Sequence, residues 1–393
     1  MHTISFFLGE ELLFHNGNYY TSSSSASFLI NTFRDLEWEV VTHSREVAEH
    51  PGGTKIDSSK VVLLPHYEGI LGFVKKTFTE KSFFSSFLGK VKQLATDQKR
   101  VFWVRNPTLV SLIFSVFLVL KKRYFVSHVC ADIRLVWKNK KYKGFSRYAA
   151  YLFSKLMHVA LIFVTKSGYS INLATGTKLH KFCLKHDKNS TYFIDSIIEP
   201  NSARGKVESA SSEVINLLFV GRVREDKGVF DLLEAMRQLV EEGEYKLLIV
   251  GGGELEKVRD ISTELCIDKH VKIAGPASGD ALKDYFAKSD AVIVPSDNDY
   301  EGFPRVILEA WSHNKPVFLT PVGGIPGLAK DGFNSIFIER GKPTDIKEKV
   351  SRFFLPSNSM AREVLEKGIC QTNDSYGSSH WASIARTKVF SLT

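Results

Sequence analysis

Three segments in the second half of the chain carry residues suited to holding a phosphorylated, hydroxyl-rich ligand. The first, Gly221-Arg222-Val-Arg224-Glu-Asp-Lys227-Gly228, directly follows a short apolar run. Arg222 offers a planar fork matched to phosphate oxygens, and Lys227 a compact cation. Gly228 opens a helical pattern, and the free N–H groups at a helix start also favour an anion. Basic residues in a turn are solvated more often than not, so this segment alone does not establish a phosphate site. The second segment runs from Ser296 to Glu309 and contains Tyr300-Glu301-Gly302-Phe303-Pro304-Arg305. Pro304 suits the first helical position, where its missing N–H is no loss. Gly302 lets the backbone approach a ligand closely. Glu301 then sits on the loop and Glu309 on the second helical turn, so the two carboxylates can engage different hydroxyl-rich parts of one ligand. The plainer alternative is an exposed acidic loop and one locally paired helix acid. The third segment, Pro321-Val-Gly323-Gly324-Ile-Pro326-Gly327, reads by itself as ordinary turn chemistry.

These segments lie between elements that read as alternating strands and helices. Leu217–Val220, Leu247–Val250, Val271–Ala274, Ala291–Val294, Pro316–Thr320 and Ser335–Ile338 are the strand candidates. Helices are predicted over Val229–Val240, Glu254–Leu265, Ala281–Lys288 and Pro304–Ser312. Unbroken apolar strands alternating with amphipathic helices imply a parallel sheet covered on both faces, with ligands at the carboxyl ends of its strands. The first half repeats the theme less cleanly. Its strand candidates are Ile4–Leu8, Glu39–Thr42, Val61–Leu64, Val101–Val104, Tyr124–Val126 and Ala160–Val164. Its helix candidates are Ser22–Phe33, Phe83–Leu94, Leu109–Leu120 and Ser146–Met157. A length of 393 residues suits two domains. The expected division is 1–200, a polar linker at 201–212, 213–372, and a closing helix at 373–393.

The order strand–GRVREDKG, strand–GGG, strand–PS…EGFPRVILEA and PVGGIPG…KDGFNSIF resembles the C-terminal domain of family 4 retaining glycosyltransferases. The likeness is dense from Leu217 to Ile338 and only an outline before that. It implies an α/β GT-B fold: two Rossmann-like domains facing each other across a cleft, with the C-terminal helix crossing back to the N-terminal domain. It implies that Arg222 and Lys227 hold the donor diphosphate and that backbone amides of Gly302, Phe303 and Arg305 cradle phosphate. It also implies that Glu301 touches the donor sugar near the reacting centre and that Glu309 binds the ribose. In the first half, the family's glycine loop after the first strand is matched to Phe14–Tyr19, with Gly17 as a donor contact. His128 is the best match to a family histidine near the donor sugar; Asp132, His15 and His66 are weaker candidates. Two positions depart from the family pattern: Gly327 stands where Glu is usual, and Ser335 where Gly is. No cofactor is expected beyond a nucleotide-sugar substrate, UDP-linked rather than GDP-linked. Asp297-Asn-Asp299 has the spacing of a metal motif, but the site is expected to work without metal. A nucleotide-sugar epimerase, a phosphorylase and a catalytically silent sugar-nucleotide binding subunit are the alternatives.

Charge adds a partner. Residues 1–200 hold 27 Lys and Arg against 15 Asp and Glu, a balance of +12, whereas the remainder carries −3. Between Lys75 and Arg147, 17 basic residues face only Glu80, Asp97 and Asp132. Phe and Leu interleave with these lysines at 73–78, 83–84 and 87–88, which points to an anionic membrane surface and a lipid-linked saccharide acceptor. A merely solvated basic surface is the plain alternative. No nucleic-acid signature accompanies the charge. The longest charge-free apolar run, Val110–Leu120, is too short to span a bilayer, so a peripheral protein at the inner face of the cell membrane is expected. Cys130, Cys183, Cys266 and Cys370 show no metal or redox spacing and read as reduced thiols of a cytoplasmic protein.

Overall fold

The computed structural model describes residues 2–21, 23–138, 142–195, 214–299 and 302–392. Two compact units result: Met1–Ile197 joined by Trp381–Thr393, and Ile198–His380. The expected linker, 201–212, lies outside the described residues.

The strands of the first unit are β1 (Thr3–Phe7), β2 (Leu12–His15), β3 (Asn18–Thr21), β4 (Trp38–Thr42), β5 (Ser44–Glu46), β6 (Thr54–Ile56), β7 (Val61–Leu63), β8 (Arg100–Asn106), β9 (Phe125–Val129), β10 (Ser170–Ala174) and β11 (Thr191–Tyr192). Seven of them form a parallel sheet in the order β11-β10-β9-β8-β1-β4-β7. The order reverses at β1, so the gap between β1 and β8 is a switch point, where a crevice opens at the strand ends. The remaining four strands make a small sheet, β5-β2-β3-β6. Its β2–β3 hairpin closes on Asn16 and Gly17, both with positive φ (46° and 78°). That two-residue Asn-Gly turn twists in the same sense as its strands. The segment Phe14–Tyr19 is therefore a hairpin rather than a loop after the first strand.

Two other expectations for this unit change. Ala160–Val164 is not a strand: it lies inside a single helix, Gly144–Lys166. Its β-branched residues resemble a strand locally, but Met157 and Leu161, four apart, pack with Leu112, Val129 and Leu179. Tertiary burial of a helical face overrides local β preference. The helix is also long and apolar enough, by length and composition, to cross a membrane, although Arg147 and Lys155 interrupt its apolar run. The Phe/Lys interleaving is the second change. Phe73, Phe83 and Phe87 are buried in the core, with Phe73 ring centroids 5.4 and 5.1 Å from those of Phe83 and Phe87. Most of the aromatic residues there face inward, away from any surface partner.

The second unit is built on β12 (Val214–Val220), β13 (Glu244–Val250), β14 (Val271–Gly275), β15 (Ala291–Val294), β16 (Val317–Leu319) and β17 (Ile336–Phe337). All pair in parallel, in the order β14-β13-β12-β15-β16-β17, with the switch point between β12 and β15. Leu217, Leu218, Leu247, Ile249 and Ala291–Val294 are buried, as strands covered on both faces require. The helix Ser359–Tyr376 stays with this unit, where Asn373 donates to the Trp311 carbonyl at 2.7 Å. The return to the first unit starts at Trp381 rather than at residue 373. Trp381 is buried beside Phe193, and Arg386 grips both carboxylate oxygens of Asp35 at 2.7 and 2.8 Å.

Candidate active site

The switch point of the second unit gathers most of the residues singled out in its sequence. A cavity of about 250 Å³ is lined by Gly221, Arg222, Lys227, Ser296, Pro304, Arg305 and Glu309, with β12 and β15 as its floor. The chain reaches this geometry through close backbone packing. Gly228 has φ +70°, and a Cβ there would collide with the Pro295 carbonyl; Gly251 and Gly253 press in the same way on the carbonyls of Gly221 and Val223. Only glycine permits these approaches. The Asp226 carbonyl ties the two functional loops together: it accepts from the Asp297 amide at 3.0 Å and from Asn298 Nδ2 at 2.9 Å.

Three cations line this small cavity, and their roles separate from that of their neighbour. Arg224 is held by Asp226 through two bonds of 2.8 and 2.7 Å, so its fork is occupied locally. Arg222 is exposed, and no hydrogen bond or ion pair of its side chain is found among the described residues. Both helices that start here, Val229–Val240 after Gly228 and Arg305–Ser312 after Pro304, lack a side-chain cap. The positive ends of these helices add to the field of the side chains. Pro304 is the residue before the helix rather than its first member. Glu309 is half-buried against the cavity; burial pushes its carboxyl above the ordinary range, and Arg305 pulls it partly back.

Gly302 and Phe303 lie on the approach to that helix; Phe303 is buried near Trp311, its ring 6.1 Å away. Glu301 lies outside the described residues. Arg340 binds the carboxylates of both Asp297 and Asp299, so this pair already has a cation. Gly252, in the turn after β13, lies against Pro276, in the loop after β14.

The sequence-predicted residues of the first unit are placed differently. His128 is 1% exposed on β9; its Nε2 lies 2.9 Å from Thr175 Oγ1, and its ring packs edge-on to Phe193 and Trp103. It has the surroundings of a core histidine. Asp132 is buried in a bidentate pair with Arg134 at 2.8 and 2.6 Å. Gly17 stands at the open tip of the hairpin, with nothing near a Cβ position, and His15 bonds the Val47 carbonyl beside it. The glycine that follows β1 is Gly9: φ is +66°, and a Cβ would lie 2.6 Å from Thr108 Oγ1.

Gly9 opens a cavity of about 560 Å³ at the β1–β8 switch point, lined also by Glu11, His43, Arg45, Tyr67, Glu68, Ile70, Phe73 and Thr108. His43 stacks on Tyr67 at 3.9 Å, and Glu11 lies 3.9 Å from both His43 and His66. Burial, with His66 adding to it, holds His43 neutral by pushing its pKa down to about 4. Burial also raises the Tyr67 hydroxyl above its usual range. The sequence signal for this cavity was Gly9-Glu10-Glu11 directly after the first apolar run.

Two Rossmann-like units, the second with a crevice lined by cations and the first completed by the final helix, define the GT-B class of fold. Residues 205–367, most of the second unit, match the family described as Glycosyl transferases group 1. An uncharacterized glycosyltransferase of Methanocaldococcus jannaschii is 32% identical over 174 residues, 44% of this chain and 43% of that protein. The amylovoran biosynthesis glycosyltransferase AmsK of Erwinia amylovora is 31% identical over 137 residues, 33% of this chain and 34% of its own length. The match thus spans less than half of each relative. Among solved structures, Anabaena HepE in complex with UDP superposes with a TM-score of 0.70 at 15% identity, covering 98% of this chain and 99% of that one.

Proposed function

We propose that the protein is a retaining, family 4 glycosyltransferase of the hexosyltransferase type. It moves a sugar from a nucleotide diphosphate sugar to a saccharide acceptor in surface-polysaccharide assembly. The observation that carries this reading is the convergence of Arg222, Lys227, the uncapped start of Arg305–Ser312 and Glu309 on one switch-point cavity. As the sugar–phosphate bond breaks, positive charge grows on the anomeric carbon and negative charge on the departing diphosphate. Preorganised cations and helix dipoles stabilise that diphosphate without a metal. Glu309 receives the ribose hydroxyls, and Glu301, by its place in the motif, the donor sugar. Retention follows from a same-face displacement: the acceptor oxygen bonds the anomeric carbon while its proton passes to the leaving phosphate oxygen.

A UDP-sugar is the favoured donor, in keeping with UDP bound to the structural neighbour HepE. The acceptor belongs in the first unit's larger cavity, where the helix Gly69–Thr79 supplies Ile70 and Phe73 to the lining and leaves Leu71 and Phe78 exposed. Apolar groups beside a cavity that also holds Glu11, Glu68 and Arg45 suit a saccharide carried on a lipid, presented at the inner face of an anionic membrane. The test is incubation with UDP-sugars and lipid-linked acceptors in EDTA, with the product's mass and anomeric configuration read out. A retained glycoside is expected. Epimerised donor without acceptor, or nucleotide binding with no transfer to any acceptor, overturns the reading.

A further inference from the structure

The helix Gly144–Lys166 has two unlike apolar faces. Its inner face, Met157, Leu161 and Val164, is buried. Its outer face carries Tyr148, Leu152, Leu156, Val159 and Phe163, at intervals of four, four, three and four residues, which is one stripe along a helix. All five are exposed, Leu156 and Val159 by 67% and 64%. A soluble surface helix presents polar groups there, and a contiguous apolar stripe rimmed by polar residues marks a docking site. The helix cannot be a span while its other face is fixed in the core; it is built to lie along an apolar layer.

The charges on the helix choose between partners. Gly144–Lys166 contains Arg147, Lys155 and Lys166 and no acidic residue, and it follows a stretch of the chain with Lys138, Lys140, Lys141 and Lys143. Lys155 and Lys166 are exposed, as the stripe is. Pairing with a second copy would set these cations against one another. An anionic bilayer satisfies both features: acyl chains for the stripe and headgroups for the lysines, whose own stems are apolar.

We propose that Tyr148, Leu152, Leu156, Val159 and Phe163 form the membrane-seating surface of this protein, lying in the interface of an anionic bilayer. This deepens the lipid-linked reading above by assigning the contact to one helix face, and it moves that contact from the Phe73–Leu88 segment, whose aromatics are largely buried. Flotation of the full chain with vesicles of phosphatidylglycerol and phosphatidylcholine at low salt tests it. Wild type is expected to float, and Leu152→Glu/Leu156→Glu/Val159→Glu to partition at least about tenfold less. Because the triple variant could fold poorly, Leu156→Trp provides a second readout. Its emission should shift to the blue on adding vesicles and be quenched by brominated lipid. Unshifted Leu156→Trp emission, flotation unchanged in the folded triple variant, or a dimer that buries the stripe and ignores vesicles would each overturn the inference. Transfer to a water-soluble saccharide needs no bilayer, so activity without flotation defeats this inference alone, and flotation without transfer defeats only the enzymatic one.

Discussion

The two switch-point crevices share a topology and differ in chemistry. In the second unit, the cavity between β12 and β15 is lined by three cations and one carboxylate, and the helices beginning there lack side-chain caps. In the first unit, the cavity between β1 and β8 has two carboxylates, one arginine, a neutral histidine and aromatic rings. The helix starting there, Leu109–Leu120, caps itself: Thr108 Oγ1 accepts the Ser111 amide at 3.1 Å, and Ser111 Oγ accepts the Thr108 amide at 2.8 Å. Topology opens both crevices, but only the second sets cations beside helix starts that lack a side-chain cap, the arrangement that favours an anion. In the other, the helix start caps itself, and charges of both signs stand among aromatic rings.

The comparison breaks most sharply at the cations. Arg222→Ala combined with Lys227→Ala should lower the transfer rate about 100- to 1,000-fold, measured as initial rates of nucleotide release. Glu11→Gln should instead raise the acceptor KM and leave UDP affinity unchanged; equal effects on donor and acceptor would erase the distinction between the crevices. Gly228→Ala comes next. It forces a side chain into the left-handed region and against the Pro295 carbonyl, so urea denaturation should show a loss of about 2 kcal/mol or more in the second unit.

Glu309→Gln sharpens the contrast. Removing a charged acceptor for ribose should weaken UDP binding roughly 10- to 100-fold by calorimetry. Stability should move the other way. The native Glu309 carboxyl is raised by burial, so its favourable contribution is complete below the unfolded range near ~4.3 and is lost as pH rises through the native value. Without ligand, the variant should melt at or above wild type at pH 8, with the difference closing near pH 4. A variant less stable at pH 8 would mean that Glu309 serves the fold. The smallest effect belongs to Thr108→Ala, which removes the first unit's cap: about 1 kcal/mol of stability by chemical denaturation, with UDP affinity unchanged.

Much of the second unit was legible in its residues. Its strands are unbroken apolar runs, its glycines and proline stand at the loop–helix junctions, and a parallel sheet delivers loops after consecutive strands to one edge. Arg222, Lys227, Arg305 and Glu309 therefore share a cavity, as their spacing implied. The first unit yielded less, because its signals were local and ambiguous. Asn16-Gly17 is a strong hairpin signal, and the chain folds as one there; Gly9, two residues past β1, holds the position at the crevice.

Composition and order alone determined the two-unit α/β plan, the gathering of cations at one sheet edge of the second half and the basic excess of the first. Only tertiary packing decided which apolar residues were core and which were surface. Phe73 and Phe87 turned inward, His128 was packed among aromatic rings, and Ala160–Val164 joined a helix with one face buried and the other exposed. A side chain's type states what it can do in water or in a core. Which of the two it meets depends on neighbours distant in the chain, and no local pattern specifies them.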